Sequence, residues 1–166
     1  MIEHIHTKVL GMGEADFISS PMETLKCYSL GSCVAVCMFV PSLHIAAMAH
    51  IVLPSQRLYG NTSPSKHGLY YYADSGVQEM IRQLNLKGVK FNNDIIVKLA
   101  GGAEILEVIE NKIGKKNVLA VKKALWKYRL GPVSEDVGGV LSRTVSINLD
   151  EGSVIITSPG RDALKI

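Results

Sequence analysis

Five side chains within one stretch of this sequence could act as nucleophile, base or metal ligand: Cys27, Cys33, Cys37, His44 and His50. Cys33 follows Leu30-Gly31-Ser32 and opens the apolar run Val34-Ala35-Val36. A glycine just before a thiol permits a tight corner and leaves room for a substrate, and the free N–H groups of such a corner can hold an oxyanion. Gly31, Ser32 and nearby Ser29 are therefore the candidate substrate-holding residues, and Cys33 is the candidate nucleophile. The alternative is that Cys33 is a small buried hydrophobe.

His50 lies in Ala47-Met48-Ala49-His50-Ile51-Val52. An imidazole in an apolar run must find a partner or stay neutral. It reads either as the base for Cys33 or as a core histidine bonded to a backbone carbonyl. A hairpin turning near Pro41 brings the two together. Residues 33 and 50 pair about a centre near residue 41 or 42, which sets thiol and imidazole side by side on neighbouring strands, within the reach that a nucleophile–base pair needs. A protonated imidazole there would depress the thiol pKa and raise the thiolate fraction. Zinc is the rival use of these residues. Cys33 and Cys37 would stand about 13 Å apart in a strand, and His44 and His50 are six residues apart, wider than the tight pairs zinc favours. No metal or cofactor is assigned, and Cys37 reads as core.

The elements that must position this pair follow from pattern. Residues 27–56 contain no Asp, Glu, Lys or Arg, long enough for a membrane helix. Gly31, Pro41, Ser42, His44 and His50 interrupt the run, and its β-branched content favours a buried hairpin of Val34–Val40 and His44–Leu53. Thr7–Leu10, Leu25–Leu30 and Ile95–Ala100 read as further strands, and Thr144–Leu149 and Val154–Thr157 as a second hairpin about the Asp150-Glu151-Gly152 turn. Glu14–Pro21 reads as loop. The Ser-, Pro- and Gly-rich residues Pro54–Gly68 read as a long solvated connection, with a lid as the alternative. Ala73–Leu86 carries Ala73, Val77, Met80, Ile81 and Leu84 on one helical face and is stopped by Gly88. A second helix is expected from about Asn117, its N-cap, to Tyr128, with Lys122, Lys123 and Lys127 on a solvated outer face.

These elements predict one α+β domain spanning residues 1–166, with sandwich-like mixed β-sheet layers flanked by two helices. The 166 residues carry a net charge of +3 with no long Lys/Arg run, which argues against nucleic acid and suits an acidic protein partner. An N-terminus without a basic-then-apolar leader, together with an odd count of three cysteines, predicts a reduced, cytoplasmic protein.

Leu30-Gly31-Ser32-Cys33-Val34-Ala35-Val36 and Ala47-Met48-Ala49-His50-Ile51-Val52-Leu53-Pro54 resemble the CheD family of chemoreceptor glutamine deamidases. So do, in order, Ala100-Gly101-Gly102-Ala103, Ile113-Gly114-Lys115-Lys116-Asn117, and Glu135-Asp136-Val137-Gly138-Gly139 with Arg143. The resemblance implies a fold like bacterial toxin deamidases. It also implies a cysteine-hydrolase mechanism with Cys33 as nucleophile and His50 as base, acting on glutamines of methyl-accepting chemoreceptors. The phosphatase CheC is implied as a second partner. Two positions depart from the family. Cys27 stands where a threonine usually completes the catalytic set, so a weaker hydrogen-bonding thiol would be the third member, unless Ser29 or Thr24 substitutes. Lys116 stands where an arginine is usual, and cannot form a bidentate fork. A weakened third member leaves a second reading open, a non-catalytic module that binds receptors or CheC.

Overall fold

The computed structural model describes residues 4–59, 67–105 and 111–166. In chain order its strands are β1 (His6–Val9), β2 (Ala15–Ile18), β3 (Glu23–Leu30), β4 (Val34–Val40), β5 (Ile45–Ile51), β6 (Ile96–Gly101), β7 (Pro132–Val137), β8 (Arg143–Ile147), β9 (Val154–Ser158) and β10 (Arg161–Lys165). Its α-helices are α1 (Gln56–Tyr59), α2 (Ala73–Leu86) and α3 (Ile113–Trp126).

The apolar hairpin is the centre of the molecule. Every residue of β4 and β5 is buried, as a strand covered on both faces must be. The hairpin sits inside a sheet ordered β2-β5-β4-β6-β7, and a second sheet, β1-β3-β8-β9-β10, packs on one of its faces. Leu25, Cys27, Val145, Ile147 and Ile156 of the second sheet meet Ala35, Cys37, Phe39, Ala46 and Met48 of the first. The opposite face of the hairpin, through Val34, Val36, Met38, Ala47, Ala49 and Ile51, packs on α2 and α3. The α+β expectation of sheet layers with two main helices holds, as a three-layer β/β/α arrangement.

α2 has the predicted bounds because its apolar stripe is complete. Val77, Met80, Ile81 and Leu84 are essentially buried, contributing about 1.5–3 kcal/mol each relative to exposure. Three expectations are corrected. Residues 15–18, read as loop, form β2 against β5; only Ile18 of that strand is buried, so it carries little apolar alternation to betray it. α3 begins at Ile113, and Asn117 lies inside it as a buried residue instead of capping it. The hairpin register is also shifted. Ala35, not Cys33, pairs with His50. The turn takes an extra residue because Pro41–Leu43 forms a 3-10 turn and His44 closes it in the left-handed region at φ 49°. Of the Pro54–Gly68 connection, residues 60–66 lie outside the described residues, and the lid expectation with them. No helix among the described residues is long and apolar enough to cross a membrane.

Candidate active site

The register shift places Ala35 opposite His50 and offsets Cys33 from it by two residues. Cys33 lies one residue before β4 and packs with the residues facing the second sheet. His50, opposite Ala35, has the same parity. The two are diagonal neighbours on one face, a relation of about 7–8 Å between backbones that an imidazole spans.

Three successive carbonyls fix the corner that carries the thiol. Gly31 O accepts from Ala103 N–H at 2.8 Å, and Cys33 O from Gly102 N–H at 2.7 Å. Between them, Ser32 O accepts from the Asn117 side-chain amide at 2.8 Å. The same amide donates to Val52 O, also at 2.8 Å. Asn117 thus clasps the two chain segments that extend the hairpin beyond its last paired residues, while its own buried Oδ1 has no hydrogen-bond partner among the described residues. This is why an asparagine sits inside a helix, and it is a positioning role that the cap reading missed. Behind the corner, Gly101 adopts φ 115° and Gly102 φ 66°. A Cβ on Gly101 would collide with the Cys33 carbonyl, so both the angle and the space demand glycine. Gly101 O accepts in turn from Gly138 N–H at 2.9 Å and from Arg143 Nη1 at 3.4 Å. Arg143, 5% exposed, also pairs with Asp136 at 2.8 Å, and Arg161 reaches the same carboxylate at 2.6 Å. Arg161, then Arg143, hold the Asp136 carboxyl down to about 2, against the opposing effect of burial.

His50 is anchored from outside the hairpin. Its Nδ1 lies 3.3 Å from Leu10 O. A carbonyl only accepts, so the proton resides on Nδ1 and Nε2 keeps its lone pair. Burial lowers the imidazole pKa, opposed by the Leu10 bond and the Glu14 charge. Burial likewise raises the Cys33 thiol. Both directions run against the imidazolium–thiolate pair expected from the sequence, because desolvation penalises each charged form. Burial thus favours the uncharged form of each group.

Cys27, the expected third member, packs in the same buried layer as Cys33. Cys27 lies in the opposite sheet and donates its S–H to the Met48 sulfur at 3.3 Å, and burial pushes its thiol up to about 12. Leu10 O is the group on the imidazole. This is the backbone-carbonyl contact that the alternative reading of His50 expected, and a carbonyl has no side-chain signature by which the sequence could name Leu10. Ser29 adopts φ 51° at the irregularity in β3 between Cys27 and Leu30. It is exposed, with its N–H on Thr144 Oγ1 at 3.3 Å. Lys116, the second departure, is exposed and reaches Asn111 Oδ1 at 3.4 Å. Cys37 is core, as expected. Among the described residues no group of three or more His, Cys, Asp or Glu side chains is gathered to hold a metal.

Comparison with known proteins identifies the family. A family model described as CheD chemotactic sensory transduction matches residues 52–158. A probable chemoreceptor glutamine deamidase CheD of Syntrophotalea carbinolica is 42% identical over 160 residues, 95% of this chain and 98% of its own. The chemoreceptor glutamine deamidase CheD of Thermotoga maritima is 37% identical over 154 residues, 92% of each chain. A probable chemoreceptor glutamine deamidase CheD of Symbiobacterium thermophilum is 34% identical over 159 residues, 93% of each. The family model begins beyond His50, whereas the matches to whole relatives span nearly the whole chain.

Proposed function

This chain belongs to the CheD family, and on that premise we propose that it is a chemoreceptor glutamine deamidase whose nucleophile is Cys33 and whose base is His50. The observation that supports the residue assignment is the Leu10 contact, which takes up Nδ1 of His50 and leaves Nε2 as the basic nitrogen, on a residue whose strand position shares a face with Cys33.

That burial favours the uncharged form of each group sets the order of events. As Cys33 Sγ attacks the side-chain carbonyl carbon of a receptor glutamine, its proton passes to His50 Nε2, so no thiolate need accumulate beforehand. The carbonyl becomes an oxyanion. In a trans peptide the N–H points away from its carbonyl, so the pinned Gly31 and Ser32 carbonyls turn the N–H groups of Ser32 and Cys33 to the opposite side, where they serve as oxyanion donors. The imidazolium returns its proton to the amide nitrogen and ammonia leaves, giving a thioester. Water, deprotonated by His50, then releases glutamate and regenerates the thiol. The fixed carbonyls mean that this geometry is set before substrate arrives.

Incubation with a receptor's cytoplasmic fragment tests the reading through ammonia release and a mass gain of about one dalton per converted site, the amide-to-acid change of this hydrolysis. Cys33→Ala is expected to abolish both; retained ammonia release in that variant would overturn the assignment. The second reading, a binding module without turnover, is favoured by one observation: burial disfavours the charged form of both groups. It predicts receptor or CheC binding without ammonia release by the unsubstituted protein. On the deamidase reading the proteins engaged are chemoreceptors and the chain acts in the cytoplasm.

A further inference from the structure

The outer face of α3 is unlike the rest of the surface. Lys112, Lys115, Lys116, Lys122, Lys123 and Lys127 fall within or beside it, six of the chain's 18 Lys and Arg residues, and the segment from Lys112 to Lys127 contains none of its 15 Asp and Glu. Between the lysines, two large apolar side chains point to solvent: Leu119, 57% exposed, and Trp126, 79% exposed. They are seven residues apart, two turns on one side of the helix, separated by about 10 Å. Large exposed apolar groups gathered on one face mark contact surfaces.

This face reaches Gly102, behind the corner that carries Cys33. Leu119 and Trp126 line one cleft of 740 Å³ with Lys122, Lys123, Leu130, Pro132 and Glu135, whose carboxylate already pairs with Lys122 at 2.7 Å and leaves Lys123 as the cleft's free cation among the described residues. Leu119 also lines a second cleft, of 370 Å³, whose other wall holds Gly102 and Gly139. Gly102 is the residue whose N–H binds the Cys33 carbonyl. The two clefts therefore form one track from the back of the nucleophile's corner to Trp126.

Resting on the deamidase reading, we propose that this track is a docking surface for an acidic helical stretch of the chemoreceptor flanking the target glutamine. An amphipathic helix laid along α3 would seat apolar residues over Leu119 and Trp126 and set its carboxylates against the flanking lysines. The reaction chemistry suits this charge, because each turnover turns a neutral amide on the partner into a carboxylate. A second copy of this chain is a poor occupant, since α3 against α3 would set six lysines against six.

Trp126 is the sole tryptophan of the sequence, so its fluorescence reports this surface and nothing else. The experiment mixes the Cys33→Ala variant, which halts turnover, with a receptor cytoplasmic fragment. The expected result is a saturable blue shift with protection from acrylamide quenching, weakened by added salt. In the active protein, Trp126→Glu is expected to raise KM for the fragment about tenfold or more, as for a central aromatic contact. Cys33 alkylation by iodoacetamide at the parent rate confirms that the variant's site is intact. A fragment that binds and is deamidated while tryptophan emission and the variant's KM stay unchanged overturns the docking surface and leaves the deamidase reading standing. A blue shift produced by concentrating the protein alone assigns the face to self-association and overturns the proposal. Absence of ammonia release by the active protein overturns both.

Discussion

The two faces of the β4–β5 hairpin are built from the same strands and serve different ends. Toward the helices, Val34, Val36, Met38 and Ile51 pack in an apolar layer against which two tyrosines, Tyr70 and Tyr128, are partly buried. Toward the second sheet, the alternate residues are Cys33, Ala35, Cys37, Met48 and His50, and polar chemistry is embedded in an otherwise apolar layer. Side-chain parity alone separates them, since a one-residue slip of a strand exchanges its faces. The difference teaches that one face holds the hairpin in place so that the other can carry a thiol and an imidazole under a desolvation cost.

Substitutions can break that division. The largest expected effect is on the reactive face: Cys33→Ala removes the nucleophile and should leave ammonia release undetectable, with thermal stability close to the parent because the side chain is small and half-buried. His50→Ala is expected to slow turnover by about 10²–10⁴, the range for loss of a general base. On the helix-facing side, Met38→Ala is expected to cost about 2–5 kcal/mol of stability in denaturant titration, while the remaining folded protein keeps its kcat. A large kcat loss in that variant at temperatures where it is folded would mean that the two faces are not separable.

Smaller effects sharpen the comparison. Cys27→Ala should change kcat within about tenfold, what one ordinary hydrogen bond is worth, because Leu10 O and not Cys27 meets the imidazole; a thousandfold loss would restore Cys27 as a third member. The pH dependence has a definite sign. The unfolded chain protonates His50 near its ordinary 6.5, while burial lowers the folded value. The unfolded state therefore binds the proton first, and stability falls as pH drops through 6.5 until the folded value is passed. The acid limb of kcat/KM for the free enzyme should accordingly lie below 6.5. Asp136 acts lower still: its folded value near 2 against an ordinary 3.8 gives stability that is present above 3.8 and lost as pH falls toward 2. Arg143→Met, which removes one of its two partners, should move that loss upward in an acid-unfolding titration.

Much of the fold could be read where burial imposes a period. α2 and β4 keep their predicted bounds because Val77, Met80, Ile81 and Leu84 repeat as a helix face and β4 is apolar throughout. β7 and β10 escaped notice because they bury little: Pro132–Val137 has no fully buried residue and Arg161–Lys165 is exposed throughout. The spacing of Cys33 and His50 predicts the hairpin but not its register, in which Ala35 stands opposite His50, since a left-handed His44 is not foreseeable in a turn led by proline. The groups that hold the site, Leu10 O and the inward Asn117, were out of reach for another reason. One is backbone, and the other is a polar residue whose purpose depends on strands 65 and 85 positions away in sequence.

Leu10 has a mechanical role as well as an electrostatic one. Its N–H binds Lys26 O of β3 at 2.8 Å, in the outer sheet, while its carbonyl meets His50 of the inner sheet. It is a strut between the two layers of the sandwich. The thiol, held by Gly31, Ser32 and Cys33 carbonyls to Ala103, Asn117 and Gly102, moves with the inner sheet and with α3. A small shear of one sheet over the other would therefore swing the imidazole and leave the sulfur where it is. The alignment of the pair is a gauge of how the two layers sit.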